Sequence, residues 1–179
     1  MRTREASTIG RGVASGFTPG AEGGLSVWKI RLEAQYLEGH LQQDSGSLGA
    51  RDVVEGSVLL GVEPVGWLSV KSGVHARSYV TSGGTERWVF WEGRVRAEAP
   101  LDGPLVRAYV EVWRVLSSDL TGTQSLDRGQ GGQAGLIVTG SKVPLWARLG
   151  YGIEDVRLGA GARRETVETL VFAVGVRIH

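Results

Sequence analysis

From Trp28 to Tyr36, apolar and polar side chains alternate without a break. Trp28, Ile30, Leu32, Ala34 and Tyr36 are apolar or aromatic, and Lys29, Arg31, Glu33 and Gln35 are charged or polar. A period of two puts the first set on one face of a β-strand and the second on the other. The pattern returns in segments at about 25–41, 53–63, 67–81, 86–99, 105–117, 134–142, 145–158 and 166–179, the sixth being the least regular. No stretch sustains the 3.6-residue period of an amphipathic helix. The chain is therefore expected to be all-β: an eight-stranded antiparallel up-and-down β-barrel over residues 25–179, preceded by a flexible polar segment at 1–24. That first segment is rich in Gly, Ser and Thr and has no apolar core of a secretory signal.

The connections alternate in length. Those at 42–52, 82–85, 118–133 and 159–165 are long and polar. The others are tight, at Pro64-Val65-Gly66, Pro100-Leu101-Asp102-Gly103-Pro104 and Val143-Pro144. A meander places successive connections at opposite ends, so the lengths define a loop end and a turn end. Proline falls in or beside the turns, where its missing N–H is harmless.

Alternation alone does not say which face is inside. The polar face carries both signs in quantity: Arg31, Lys71, His75, Arg77, Arg94, Arg96, Arg107 and Arg148 against Glu33, Glu55, Glu92, Glu98, Glu111 and Glu154. Enclosed in a narrow lumen, such charges pair with one another, as burial requires. Arginine outnumbers lysine there, which suits bidentate pairing with carboxylates. The other face is almost free of charge, as hydrocarbon demands. The apolar face is thus expected to point outward, with Trp28, Tyr36, Trp91, Tyr151 and Phe172 as aromatic girdle residues at the membrane boundaries. Trp88, Phe90, Tyr109, Trp113 and Trp146 fall on the polar face, where they are expected to plug the lumen or rise above the membrane.

The strand count, the loop–turn alternation and the amphipathic final segment Leu170-Val171-Phe172-Ala173-Val174-Gly175-Val176-Arg177-Ile178-His179 together resemble the small eight-stranded outer-membrane barrels of Gram-negative bacteria, the OmpA/OmpX-like class. The class usually ends in Phe or Trp, and this chain ends in His179. The resemblance implies an outer-membrane location, membrane lipid as the surrounding partner, and a structural or surface-interaction role. Lipopolysaccharide or a surface partner would be met through the loops 42–52 and 118–133. Arg163 and Arg164 fall in the last loop, where an ordinary solvated pair is favoured over contact with lipopolysaccharide phosphates. Eight strands enclose little more than side chains, so no open pore is expected. Two other readings are a soluble lipocalin-like barrel around a small apolar ligand and a membrane-barrel enzyme that modifies lipid A.

Little in the chain points to catalysis. The histidines are His40, near Asp44 and Ser45 at the loop end of the first segment, His75, flanked by Lys71 and Arg77, and the terminal His179. None stands in a recognisable nucleophile–base motif, and no catalytic residues are assigned. The loop acids Asp44, Asp52, Asp119 and Asp127 are too scattered for a calcium site, and Gly129-Gln130-Gly131-Gly132 does not lead from a strand into a helix as a phosphate loop would. No metal or cofactor is expected. A net charge of +1 gives no bulk attraction to nucleic acid, and the lack of cysteine excludes disulfides and thiolate metal sites.

Overall fold

The computed structural model describes residues 1–8, 10–46, 48–103, 105–121, 125–141 and 143–176. Arg177, Ile178 and His179, the end of the last amphipathic segment, lie outside the described residues. Among those described there is no helix. Eleven strands form one antiparallel sheet: β1 Arg2–Ser7, β2 Gly10–Ser15, β3 Gly20–Val27, β4 Ile30–Gly46, β5 Arg51–Val65, β6 Leu68–Thr81, β7 Gly84–Asp102, β8 Val106–Leu120, β9 Leu126–Thr139, β10 Leu145–Leu158 and β11 Arg163–Val176. From β3 to β11, neighbours in sequence are neighbours in the sheet; β11 then pairs with β1, β1 with β2, and β2 returns to β4, which closes the ring.

The eight expected strands correspond to β4–β11, and the count of eight is corrected to eleven. The additional three come from residues 2–27, most of which the sequence reading treats as a flexible segment. Hydropathy alternation reports a strand only when its two faces differ. In β1, Arg2 and Arg4 point outward while Thr3 and Glu5 point inward, so both faces are polar. In β3, glycine, alanine and serine dominate. The first expected segment also conceals a hairpin. Val27 pairs with Ile30, and Trp28-Lys29 form the turn, with Trp28 at φ 53°.

β2 and β3 act as one interrupted strand. Their register against β4 runs without a shift from Ala14↔Gln43 and Ser15↔Gln42 to Gly20↔Leu37 and Val27↔Ile30, and a backbone bond from Glu38 N to Pro19 O (3.0 Å) spans the interruption. β1 covers only the loop half of β11, from Arg163 to Glu168.

The long loops are shorter than their polarity suggests. β4 runs to Gly46 and β5 begins at Arg51; β8 runs to Leu120 and β9 begins at Leu126. Most of the stretch 118–133 is therefore strand. Two of its inward positions, Gly129 and Gly131, lack a side chain where bulky side chains of β8 lie over them. A Cβ on Gly131 would sit 2.3 Å from the Trp113 ring, and one on Gly129 would sit 2.5 Å from Val115 Cγ2. The same fit places the Tyr109 hydroxyl over Gly150 and the Trp146 indole over Gly175. These lumen aromatics and their facing glycines fill the interior together. Gly131→Val is expected to lower stability by about 1–3 kcal/mol through overpacking. Adding Trp113→Ala in the same chain should recover part of the loss, measured as non-additive denaturation midpoints in a double-mutant cycle.

Candidate functional site: a paired-charge interior within an apolar wall

Strand geometry sends alternate side chains inward, and the sequence puts the charges at those positions. Lys71 on β6 lies 2.8 Å from Glu33 on β4 and 2.7 Å from Glu111 on β8. Glu33 also meets Arg31 (2.6 Å), which reaches Glu63 (3.1 Å). Arg94 joins Glu111 (3.2 Å) to Glu92. His75 sits between Glu92 (3.5 Å) and Glu55 (3.2 Å), and Arg77 bridges Glu55 and Glu154 at 2.7 Å each. Toward the turn end Glu98 joins Arg96 (2.9 Å) and Arg107 (3.0 Å), while Arg148 reaches Glu22 of β3 (2.5 Å). Every residue named from the sequence for a lumen network thus carries an ion pair with another inward group. Lys71, His75, Arg77 and Glu92 are at most 3 % exposed.

The aromatics of the polar face extend this network. Arg96 stacks over the Tyr109 ring and Arg94 over Trp113. The Trp113 indole N–H donates to Glu154 (3.2 Å), and Gln133 donates to the Tyr109 hydroxyl (2.6 Å). Neither His75 nitrogen is aligned for a hydrogen bond, although Ser57 stands directly across from it. The charged groups nearest the His75 ring are Glu55 and Glu92.

Two interior features go beyond the sequence reading, in which only Trp88 and Phe90 of the first are expected to plug the lumen. Near the loop end the lumen is apolar: Ala14, Leu41, Val53, Tyr79, Trp88, Phe90, Val156 and Leu158 form a buried cluster. Tyr79 packs edge-on to Trp88 at 5.6 Å. Val53, Leu41, Val156 and Leu158 fall out of phase with the outward apolar positions of their strands, and that phase break was the available signal. A second charge cluster sits beside this plug. Arg51 stacks 4.0 Å over the Tyr79 ring, donates to Thr3 Oγ1 (2.7 Å) and lies 3.8 Å from Glu165. Tyr79 donates to Glu165, and Arg163 joins Glu86 (2.5 Å) to Glu5 (3.1 Å). Thr3 and Glu5 belong to β1, so this cluster anchors the β1–β2 hairpin. It needs residues from the segment at 1–24 and was invisible without it.

The outer wall is apolar. Ile30, Leu32, Val58, Leu60, Val70, Val95, Val110, Val112, Leu149, Ile153 and Val174 are all exposed. Of the girdle residues, Trp28 occupies the β3–β4 turn, while Tyr36, Trp91, Tyr151 and Phe172 project outward from their strands. Arg163 and Arg164 do not act as a loop pair: they open β11, so Arg163 turns inward and Arg164 outward. Arg164 stands opposite Arg157, which stands opposite Arg128, and Asp155 binds both Arg164 (2.6 Å) and Arg157 (3.5 Å). His40 pairs with Asp52 (2.7 Å) on the exposed rim, and Asp44 accepts from Ser15 (3.0 Å). No group of metal-ligating side chains occurs among the described residues.

No protein-family model matches the sequence, and no curated protein matches it. Lys71→Met should leave Glu33 with Arg31 alone and Glu111 with Arg94 alone and lower stability, by less than the about 3–5 kcal/mol of a fully unpaired buried charge. Converting both carboxylates to glutamine in the same chain should restore most of it, read from denaturant midpoints.

Proposed function

We propose that this protein is a small outer-membrane β-barrel with a structural or surface-interaction role and no open pore. One observation carries the reading: the faces are inverted relative to a water-soluble protein. Charged groups such as Lys71, Arg77, Glu92 and Glu111 are buried, while Val58, Leu60, Val110 and Leu149 are each at least half exposed, from 50 % to 60 %. Monomeric proteins in water rarely present contiguous apolar surface on such a scale. A wall of this kind is what a hydrocarbon environment selects, and a sheet closed on itself is one of two architectures that satisfy backbone polar groups there. The same orientation counts against a lipocalin-like carrier, which needs the apolar set inside.

The aromatic plug and the paired charges support a lumen blocked to solutes. In this reading the loop-end rim, with His40–Asp52 and the row Arg128, Arg157 and Arg164, is the part available to lipopolysaccharide or a surface partner.

Val110→Arg discriminates between environments. At the middle of a lipid-facing band the substitution costs about 2–4 kcal/mol, whereas on a solvated surface it changes stability by no more than about 0.5 kcal/mol. Unfolding of the wild-type and variant proteins in lipid vesicles is expected to show the larger loss. Recovery of the wild-type chain as a monodisperse monomer in buffer without detergent would overturn the reading.

A further inference from the structure

The outward face of the ring is not apolar throughout. Toward the loop end, three consecutive rows of outward positions cross the strands from β8 to β1. The uppermost row sets Arg128 of β9 opposite Arg157 of β10, and Arg157 opposite Arg164 of β11. The next runs from Arg114 of β8 through Gln130, Asp155 and Thr166 to Arg4 of β1. The third ends with Glu168 opposite Arg2. All six arginines are exposed. The row below is apolar, formed by Val110, Ala134, Tyr151 and Leu170, and beneath it Leu149 and Phe172 continue the apolar wall.

The cations of this patch outnumber its acids. Asp155 meets Arg164 (2.6 Å) and Arg157 (3.5 Å), and Glu168 meets Arg4 (2.9 Å). Among the described residues Arg2, Arg114 and Arg128 pair with no carboxylate; Arg128 Nε instead donates to the Gln130 amide oxygen (2.9 Å). Asp127, next to Arg128, accepts from Gly161 N (2.7 Å) in the β10–β11 connection. Six arginines thus face two acids. Like charges directly opposite on adjacent strands destabilise a sheet, and exposed ion pairs contribute little against that. On β4 and β5 the exposed outward charges toward the loop end are Glu38 and Asp52 instead, so the cationic excess is confined to one side of the ring.

A counter-charge from outside fits this geometry. Arg128 and Arg164 lie two strand spacings apart, about 9.5 Å, with Arg157 between them. Arg114 and Arg4 stand one row lower, at the two ends of a span of about 19 Å from β8 to β1. Guanidinium forks bind phosphate oxygens through paired, charge-assisted hydrogen bonds. One phosphate cannot reach both ends of a patch this wide, whereas two phosphates on one headgroup engage both rows. Apolar chains hanging from that headgroup would lie on Tyr151, Leu170 and the wall beneath. We infer that the patch seats a lipid carrying two phosphate groups, its phosphates over the arginines and its chains against the wall. The inference rests on the membrane reading and narrows it, placing the lipid on the outward face of β9–β11 and their neighbours in place of the loops.

The test titrates lipids into the protein in nonionic detergent and reads dissociation constants by calorimetry. The lipids are bisphosphorylated lipid A, its monophosphorylated form, phosphatidylglycerol and phosphatidylcholine. The bisphosphorylated lipid is expected to bind at least about tenfold more tightly than either glycerophospholipid, and R128Q/R157Q to lose about tenfold of that affinity. Arg87 is exposed on β7 outside the patch, and R87Q should leave binding unchanged. Without lipid, the denaturation midpoint of R128Q/R157Q should equal or exceed that of the wild type, because the like-charge row is relieved. Equal affinity for all four lipids, undiminished binding by R128Q/R157Q, or a lower lipid-free midpoint would each overturn the inference. So would equally tight binding of a polyglutamate peptide, which would make the patch a seat for an acidic protein. A protein that needs detergent yet shows no lipid preference loses the seat alone, whereas a monodisperse monomer in plain buffer loses the membrane reading itself.

Discussion

Charge buried inside a closed sheet must find its opposite within reach, and this constraint organises the molecule. A charged group moved from water into a low-dielectric interior loses several kcal/mol of solvation, recovered only through close, well-placed partners. Lys71 has two glutamates, Arg77 has two, and Glu98 has two arginines. These contacts link β4 to β8 and β5 to β10, strands that share no ladder. The network thus ties the ring across its interior, while backbone bonds tie it around its circumference.

Much of this was legible because the two faces of β4–β11 differ so sharply in polarity. In β7, Trp91, Val95 and Ala97 alternate with Glu92, Arg94 and Arg96, and this fixes both the strand and the residues that must meet their partners inside. The missing parts are those where the faces do not differ. β1 is polar on both sides, β3 is nearly featureless, and the start of β9 sets glycine beside charge. For such strands the neighbours decide. Gly129 and Gly131 belong in β9 because Val115 and Trp113 need the space, a relation between strands that no periodicity within one segment can display. The pairing of Arg148 with Glu22 was out of reach for the same reason, since β3 itself was unseen.

The interior has two regimes along its axis. Toward the turn end it is ionic, with guanidinium groups stacked on Tyr109 and Trp113. Toward the loop end it becomes apolar around Trp88, Phe90 and Tyr79. Arg51, stacked on the Tyr79 ring and 3.8 Å from Glu165, donates to Thr3 of β1, so the short hairpin is tied to the interior beside the apolar cluster. Outside, the row Arg128, Arg157 and Arg164 places like charges on adjacent strands, which weakens cross-strand pairing unless a counter-charge intervenes. Within the chain Asp155 serves two of the three.

The charge network also constrains assembly order. A sheet half inserted in a bilayer would turn Lys71, Arg77 and Glu92 toward acyl chains before their partners on β8, β10 and β4 had arrived. Each such cation would carry a penalty of about 2–4 kcal/mol at the bilayer midplane and each carboxylate a smaller one, and several would be borne at once. Intermediate, partly curled sheets therefore lie high in energy on both sides of the path. On the proposed membrane reading, two conditions would stay low in energy: a sheet resting at the water interface, and a ring that crosses with its salt bridges already made. On that reading, insertion and closure would become a single event, with the salt bridges made before the ring crosses.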